Sequence, residues 1–335
     1  MSATMNAIQL HEFGGPEVLR YETVQRPAVK AGEVLVRVHA VGVNPPDWYL
    51  RDGYRMLPPD WQPAVQLPVI PGTDVSGVVE AVAADVVDFK VGDAVFGMVR
   101  FPSFGDSAAY ADYVAAPASD LALKPAAIDH LQAAAAPMAA LTAWQFLVEL
   151  GHDAPNPMQA GRHQPVPLHG KTVLVNGAAG GVGHFAVQVA KLNGAKVIAV
   201  ASGPHETFLR ELGADQFIDY TKAAPEDSVR AIDLVLDTVG GPASARFLSM
   251  IQRGGALFPV FPLGFDGADE AARLGVTVSS TQVRSNGKQL AELGALMASG
   301  RLRVAIDSAY PLADAAQAHA RAAAGHIRGK IVLIP

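Results

Sequence analysis

The chain has 335 residues, half of them hydrophobic and 17% charged, which excludes a largely disordered protein and favours two domains over one. It contains no cysteine, so disulfides, thiolate zinc sites and cysteine nucleophiles are excluded. The formal net charge is −6 and no run of Lys and Arg occurs, which argues against a nucleic-acid partner.

The N-terminus lacks the features that target a chain to a membrane or for export. Residues 1–10 have no basic region followed by an apolar core, so they do not resemble a signal peptide. No apolar run reaches the roughly 18 residues that indicate a membrane span. We therefore expect a cytoplasmic protein without a membrane partner.

The first 125 or so residues have the pattern of a β-rich domain. Residues 33–43 alternate apolar and polar side chains imperfectly, since Leu35 interrupts the pattern, and are rich in β-branched residues, which predicts a strand. Shorter runs of the same kind follow at 74–82, 93–99 and 110–115, separated by glycines. Short strands with glycine corners are typical of a compact, barrel-like β domain.

Strands and helices alternate from residue 172 onward, which predicts a doubly wound parallel sheet with helices on both faces. The last segment, residues 302–335, predicts a strand, a helix over 313–324 and a strand over 330–334, and it could join either domain. Residues 151–170 hold four prolines and predict a loop. The predicted strands of the sheet are 172–176, 196–200, 216–219, 233–237, 256–260 and 276–281, and the helices are 181–192, 205–212 and 242–251.

The first of these strands leads into a dinucleotide-binding pattern. Ala178, Gly180 and Gly183 have the spacing of the dinucleotide fingerprint, with alanine in place of its first glycine. Gly177 and Gly180 permit a tight turn and close approach of a pyrophosphate, and Gly183 lets the helix pack on its strand. The helix N-terminus offers free N–H groups to phosphate. A glycine-rich turn without function is the alternative, but the surrounding βα units disfavour it.

The residues after the second strand favour NADPH over NADH. An NAD site usually places an acid about 20 residues beyond the first glycine, yet here the strand ends at Ser202 with no acid until Glu206. Ser202 offers a hydrogen bond, and His205 and Arg210 offer cations to a 2′-phosphate. His205 as an ordinary helix-start residue is an equal alternative.

Eight segments, in this order, resemble the zinc-free quinone oxidoreductase branch of the medium-chain dehydrogenase/reductase superfamily. The resemblance implies an α/β protein with a GroES-like catalytic domain at 1–128 and 302–335 and a Rossmann NADPH-binding domain at 129–301. It also implies a homodimer. The segments are VGVNPPDWYLRDG (41–53), VIPGTDVSGVV (69–79), FKVGDAVFG (89–97), AAPMAALTAW (135–144), GAAGGVG (177–183), LRELGAD (209–215), DLVLDTVGG (233–241) and RGKIVL (328–333).

Zinc-dependent members of the superfamily have their ligands where this chain has Asn44, Thr73 and Asp74. Because amide and hydroxyl groups are poor zinc ligands, we expect no metal. The ten histidines show no paired ligand spacing, and we expect most of them at the surface. Two segments depart from the family pattern: the proline-rich insert at 151–170 and a longer loop at 56–67. That loop, with Trp61, is expected to border the substrate cleft.

The resemblance implies the remaining cofactor contacts. Asn44 and Thr142 are similar to residues that touch the nicotinamide half. Tyr220 is similar to a tyrosine that reaches the 2′-phosphate, although packing at a strand end is its alternative role. The usual lysine after the second strand is missing, and His205 stands near its place. The other expected contacts are Gly177, Ala178, Gly180, Gly181, Val182, Gly183, Ser202, Val239, Gly240, Arg328 and Lys330.

The chemistry that the resemblance implies is hydride transfer from NADPH to a quinone or a conjugated (enone) carbonyl compound. Without a metal, a hydroxyl or water must activate the carbonyl oxygen. Tyr49 and Tyr54 are the candidate catalytic phenols, and each is equally well explained as a packed aromatic. Asp47 follows Pro46 and is predicted to cap a short helix. A narrower alkenal, enoyl or ketone reductase and a non-catalytic, crystallin-like NADPH-binding protein are the alternative functions.

Overall fold

The computed structural model describes residues 3–156 and 162–335. Part of the proline-rich insert, including Pro157, lies outside the described residues. The described strands are β1 Thr4–Gln9, β2 Arg20–Gln25, β3 Glu33–Gly42, β4 Asp74–Val82, β5 Ala94–Met98, β6 Tyr113–Pro117, β7 Leu121–Leu123, β8 Thr172–Asn176, β9 Lys196–Ala201, β10 Gln216–Asp219, β11 Ile232–Asp237, β12 Ile251–Pro259, β13 Thr277–Val278, β14 Ile306–Pro311 and β15 Lys330–Ile334. The α-helices are α1 Pro45–Arg51, α2 His130–Ala135, α3 Pro137–Leu147, α4 Gly181–Leu192, α5 Glu206–Glu211, α6 Pro225–Ser228, α7 Ala268–Leu274, α8 Gly287–Ala298 and α9 Ala315–Ala323.

The N-terminal sheet has the strand order β14-β15-β3-β4-β5-β7, with β6 also paired to β3. Val34, Val36 and Val38 on β3 are buried in its core, as their alternation predicts. The C-terminal segment joins this sheet, because β15 pairs antiparallel with β3. The antiparallel hairpin of β1 and β2 was not predicted, because β2 has a mostly polar sequence. The boundaries of the two domains themselves remain a prediction.

The second sheet is parallel and has the order β10-β9-β8-β11-β12-β13. Counted along the chain from β8 this is 3-2-1-4-5-6, the arrangement of doubly wound dinucleotide-binding sheets. The predicted fold class is therefore confirmed. Ligands bind such sheets at the carboxyl ends of the strands, where the order reverses between β8 and β11.

Three predicted elements of this part of the chain differ from the structure in type or by more than one residue at an end. The segment Pro242–Met250 forms a 3₁₀ helix rather than an α-helix, and its buried side chains Ser244, Phe247 and Met250 recur at the three-residue spacing that suits a 3₁₀ helix. Strand β12 begins five residues before its predicted start. Strand β13 has only two residues, although the backbone N–H of Ser279 after it still donates to Leu257 O on β12 (3.2 Å).

Seven of the ten histidines are exposed or half-buried, in line with the expectation that most lie at the surface, and His163, His184 and His319 are buried. The buried ones serve as neutral hydrogen-bonding groups. His184 bonds through Nδ1 to Gly180 O (2.9 Å), and burial lowers its pKa to about 4. His163 bonds to Ser279 Oγ (2.9 Å) and docks the described part of the insert on the second sheet. Within the described chain, no helix has both the length and the apolar character needed to cross a membrane.

Candidate active site

The predicted phosphate turn lies between β8 and α4. Gly177 has φ +70°, a conformation that favours glycine, and Gly180 is the N-cap of the helix. A Cβ on Gly183 would lie 2.2 Å from Gly177 O, so glycine is required where the helix meets the turn. A Cβ on Gly180 would meet only that same oxygen, at 3.3 Å, which leaves open space for a phosphate. The predicted contacts carried by this turn and helix start are Gly177, Ala178, Gly180, Gly181, Val182 and Gly183.

A cavity of about 890 Å³ opens beside the carboxyl end of β9. The predicted contacts Ser202 and His205 line this cavity. Tyr220, also a predicted contact, is 44% exposed and does not line it. Arg210, the other suggested cation, does not line the cavity, and its guanidinium bonds to Glu206 Oε1 (3.0 Å) on the same helix. The polar side chains that line the cavity are Ser202, His205, Glu206, Asp219, Thr221, Lys222 and His326.

Lys222 and His326 were missed by the sequence analysis. Lys222 is the first cation after β10, a signal that was available, but His326 reaches the cavity only through the fold. Burial, then the cations Arg328 and His326, lower the pKa of His205. An added dianion would reverse this effect, because opposite charge favours the protonated imidazole. Asp219 also faces the cavity, and Lys222 Nζ lies 3.4 Å from its Oδ2.

The other half of the predicted cofactor site is assembled by the C-terminal segment. Gly329 donates its backbone N–H to Ala179 O (2.8 Å), so the chain crosses the phosphate turn. The buried Lys330 side chain passes Gly181, where an added Cβ would lie 3.3 Å from Lys330 Cδ. Its Nζ donates to Asn44 Oδ1. The structure thus brings Asn44 and Lys330 to the phosphate turn.

Three further predicted contacts lie on α3 and in the segment after β11. Thr142 lies on α3, buried, with its hydroxyl donating to a carbonyl one turn earlier (2.7 Å). Val239 and Gly240 follow β11, and each donates its N–H to Asp237 Oδ1 (3.1 Å). The Val239 side chain is exposed and borders the phosphate turn, 2.9 Å from the Cβ position of Gly177.

The two candidate phenols lie in different surroundings. Tyr49, on α1, faces Phe261 of the second domain with ring centroids 6.2 Å apart, which places it at the junction of the two sheets. Tyr54 is buried in an apolar cluster and packs edge-on against Phe104, at the exposed loop beyond β5. Burial raises the pKa of both phenols, so both remain hydrogen-bond donors at neutral pH. Tyr49 is the better placed of the two for a substrate between the domains.

Two of the three side chains at the zinc positions are engaged in hydrogen bonds within the protein. Asp74 accepts the Met138 N–H at both oxygens (3.0 and 3.1 Å), and Asn44 Oδ1 accepts from Lys330. The Thr73 hydroxyl is buried and has no partner among the described residues. Across residues 3–156 and 162–335, no three His, Asp or Glu side chains converge as a metal site. This donor set does not suit zinc.

Asp47 does not cap α1 in the predicted manner. Asn44 is the N-cap, and Asp47 stands at the third helical position, where its carboxylate accepts the Asn44 backbone N–H (2.8 Å). The two residues form a capping box, and both are buried.

Comparison with known proteins agrees with this architecture. Residues 30–126 match the family described as "Alcohol dehydrogenase GroES-like domain", and residues 212–333 match "Zinc-binding dehydrogenase". The mitochondrial NAD(P)H oxidoreductase RTN4IP1 of Mus musculus is 31% identical over 99% of this chain and 89% of its own length. The quinone oxidoreductase of Homo sapiens is 32% identical over 98% of both chains. The chloroplastic NADPH-dependent alkenal/one oxidoreductase of Arabidopsis thaliana is 34% identical over 99% of this chain and 80% of its own.

Solved structures show the same likeness. The quinone oxidoreductase from Coxiella burnetii superposes with a TM-score of 0.85 at 31% identity, covering 99% of this chain and all of that one. The mycobacterial protein Rv1454c, solved in complex with NADPH, gives a TM-score of 0.81 at 31% identity, with 99% and 100% coverage.

Proposed function

The chain belongs to the medium-chain dehydrogenase/reductase superfamily as a quinone oxidoreductase-like member, and we propose that it transfers a hydride from NADPH to quinones or α,β-unsaturated carbonyl compounds without zinc. Membership makes it an NAD(P)H-dependent oxidoreductase. The observation that carries the choice of NADPH is the cavity beside Ser202, where His205, Lys222 and His326 offer hydrogen-bond donors to a 2′-phosphate, although Glu206 and Asp219 line it as well. The NADPH named for the mycobacterial structure and the Arabidopsis relative supports the same choice.

The protein's own groups hold and orient the reactants. NADPH, when bound, supplies the hydride, and the phosphate turn with the N-terminus of α4 binds its pyrophosphate. Tyr49 donates its phenolic O–H to the carbonyl oxygen of the substrate, which stabilises the negative charge that develops there. After hydride transfer a quinone needs only one proton, which water can supply, so Tyr49 matters more for an enone.

A panel of acceptors tests the proposal and separates it from its alternatives. We expect NADPH to be consumed with simple ortho-quinones and with enones, measured as loss of nicotinamide absorbance. Turnover restricted to one alkenal, enoyl thioester or ketone would favour the narrower reductase. Tight NADPH binding with no turnover of any acceptor would favour the non-catalytic alternative.

The metal prediction follows from the donor set at Asn44, Thr73 and Asp74. We expect elemental analysis of fully active protein to find zinc far below one atom per chain, and dialysis against a chelator to leave kcat unchanged. Activity that disappears with the chelator and returns with zinc would refute it.

We also propose a cytoplasmic homodimer. The relative from Mus musculus is named as mitochondrial, so the location is best tested by fractionation of the source cells. Light scattering on the purified protein tests the oligomeric state.

A further inference from the structure

A chain of hydrogen-bonded polar side chains links Asn44 and α1 to Tyr110 and to His319 on α9. Asp47 Oδ2 accepts the Asn44 N–H (2.8 Å) and the Tyr110 hydroxyl (3.0 Å). Tyr110 Oη also meets His319 Nε2 (3.1 Å), and His319 Nδ1 meets Arg51 Nη1 (3.1 Å). Asn44, Asp47, Tyr110 and His319 are all buried, and Arg51 lies at the outer end.

The chemistry of Arg51 fixes the direction of every bond in this chain. A guanidinium only donates, so His319 Nδ1 must accept, and a neutral imidazole then carries its proton on Nε2. Burial and the charge of Arg51 lower the pKa of His319 to about 3, so it is neutral in the working range. Tyr110 therefore accepts from His319 and donates its own proton to Asp47. Each group in the chain therefore donates its hydrogen bond in the direction of the Asp47 carboxylate.

We propose that Asp47 is a positioning residue: its ionised carboxylate fixes Asn44 at the cofactor cleft, and Arg51, His319 and Tyr110 form a donor chain that stabilises this ionised form. The inference rests on the proposed function, which puts Asn44 at the nicotinamide side. Asn44 is held from both ends, by Asp47 at its backbone N–H and by Lys330 at its side-chain oxygen. Loss of the carboxylate charge would loosen Asn44 and the start of α1, which carries Tyr49.

Asp47 gains its proton near neutral pH. Burial raises its pKa to about 7, and Asp74 adds to this, while the bonds from Asn44 and Tyr110 and the charge of Lys330 lower it. Removing the Tyr110 hydroxyl would therefore raise the pKa of Asp47 further. The titratable and charged groups around Asp47 are Arg51 on α1, Asp74 on β4, Lys330 on β15, His319 on α9, and Tyr54 and Tyr110 in connecting segments.

Tyr110→Phe removes the hydroxyl and keeps the ring, which packs directly on Gly72. We expect the acid limb of the kcat–pH profile to move to higher pH by about one unit. This shift corresponds to a loss of about 1.4 kcal/mol of stabilisation of the ionised carboxylate. The KM for NADPH should change less than kcat. Asp47→Asn, which cannot ionise, should lose this limb and show low kcat at every pH. Tyr113→Phe, the same change three residues along, is the matched control and should leave the profile unchanged.

Stability of the cofactor-free protein gives a second readout. The pKa of Asp47 is higher in the folded state than in the unfolded state. As pH rises, Asp47 therefore loses its proton first in the unfolded state. The free energy of unfolding falls with rising pH until the folded-state pKa is reached. Because that pKa is higher in Tyr110→Phe, its melting temperature should fall further below wild type as pH rises from 6 to 8. An unshifted acid limb, or a stability difference independent of pH, would overturn the proposal. A wild type that oxidises no NADPH would instead contradict the proposed function, and the melting curves would still decide the role of Asp47.

Discussion

Gly180→Val is expected to weaken NADPH binding at least 100-fold, or about 2.8 kcal/mol, while the protein still folds. The branched side chain would occupy the space in which a pyrophosphate must approach the backbone at the start of α4. The fold tolerates it, because the backbone of Gly180 has φ −77° and an added Cβ has only Gly177 O nearby, at 3.3 Å. The measurement is the dissociation constant of NADPH by fluorescence titration, together with the melting temperature.

Gly183→Val is the matched comparison, three residues further along the same helix. Its Cβ would lie 2.2 Å from Gly177 O and 2.7 Å from Ala178 Cα, so the backbone must move. We expect this variant to lose about 3 kcal/mol or more of folding free energy. Wild-type NADPH affinity in Gly180→Val would show that the phosphate turn has been misread. Equal loss of stability in both variants would show that the turn is structural only.

Ser202→Asp is expected to lower kcat/KM for NADPH at least tenfold while the value for NADH changes little or rises. The carboxylate would stand in the cavity that holds His205 and Lys222, beside the expected 2′-phosphate. Unit charges about 4 Å apart at an effective dielectric near 20 interact by about 4 kcal/mol, which solvent and salt reduce. Even about 1.4 kcal/mol of this is a tenfold effect.

Ser202→Asn is the control, because asparagine has nearly the same shape as aspartate but no charge, and it should lower kcat/KM for NADPH much less.

Lys222→Gln removes one of the cavity's cations. It should weaken NADPH binding selectively, and only by a few-fold, because Lys222 is largely exposed. The quantity to compare is the ratio of kcat/KM for the two cofactors. A wild type that prefers NADH, or a ratio that Ser202→Asp leaves unchanged, would refute the assignment of this cavity.

The sequence was sufficient to predict the fold because hydrophobic periodicity and glycine positions are local signals. Strands β4, β8, β10 and β15 and helix α4 begin and end at the predicted residues. The hairpin of β1 and β2 was missed because polar residues on β2 hide its alternation. The 3₁₀ segment Pro242–Met250 was taken for an α-helix because both have apolar residues three apart.

The site was less predictable, because its groups meet only through tertiary structure. Arg51 and His319 are 268 positions apart, yet they belong to one hydrogen-bonded chain. His326 reaches the cavity beside Ser202 from the C-terminal segment in the same way. The histidines illustrate the limit of prediction from sequence. A neutral imidazole can bond to buried donors and acceptors as readily as it can face water. Nothing in their spacing distinguished His319 from an exposed residue.

Hydride transfer itself is tested most directly by an isotope. The purified protein, treated with a chelator, is given an enone and NADPH carrying deuterium at the transferable position of C4, and the product is analysed by NMR. We expect one deuterium at the β-carbon and a solvent proton at the α-carbon, because the hydride bonds to the β-carbon and the resulting enolate is protonated from water or a protein hydroxyl. Reduced product without deuterium at the β-carbon, or no reduction of any enone or quinone by the protein, would contradict the proposed function.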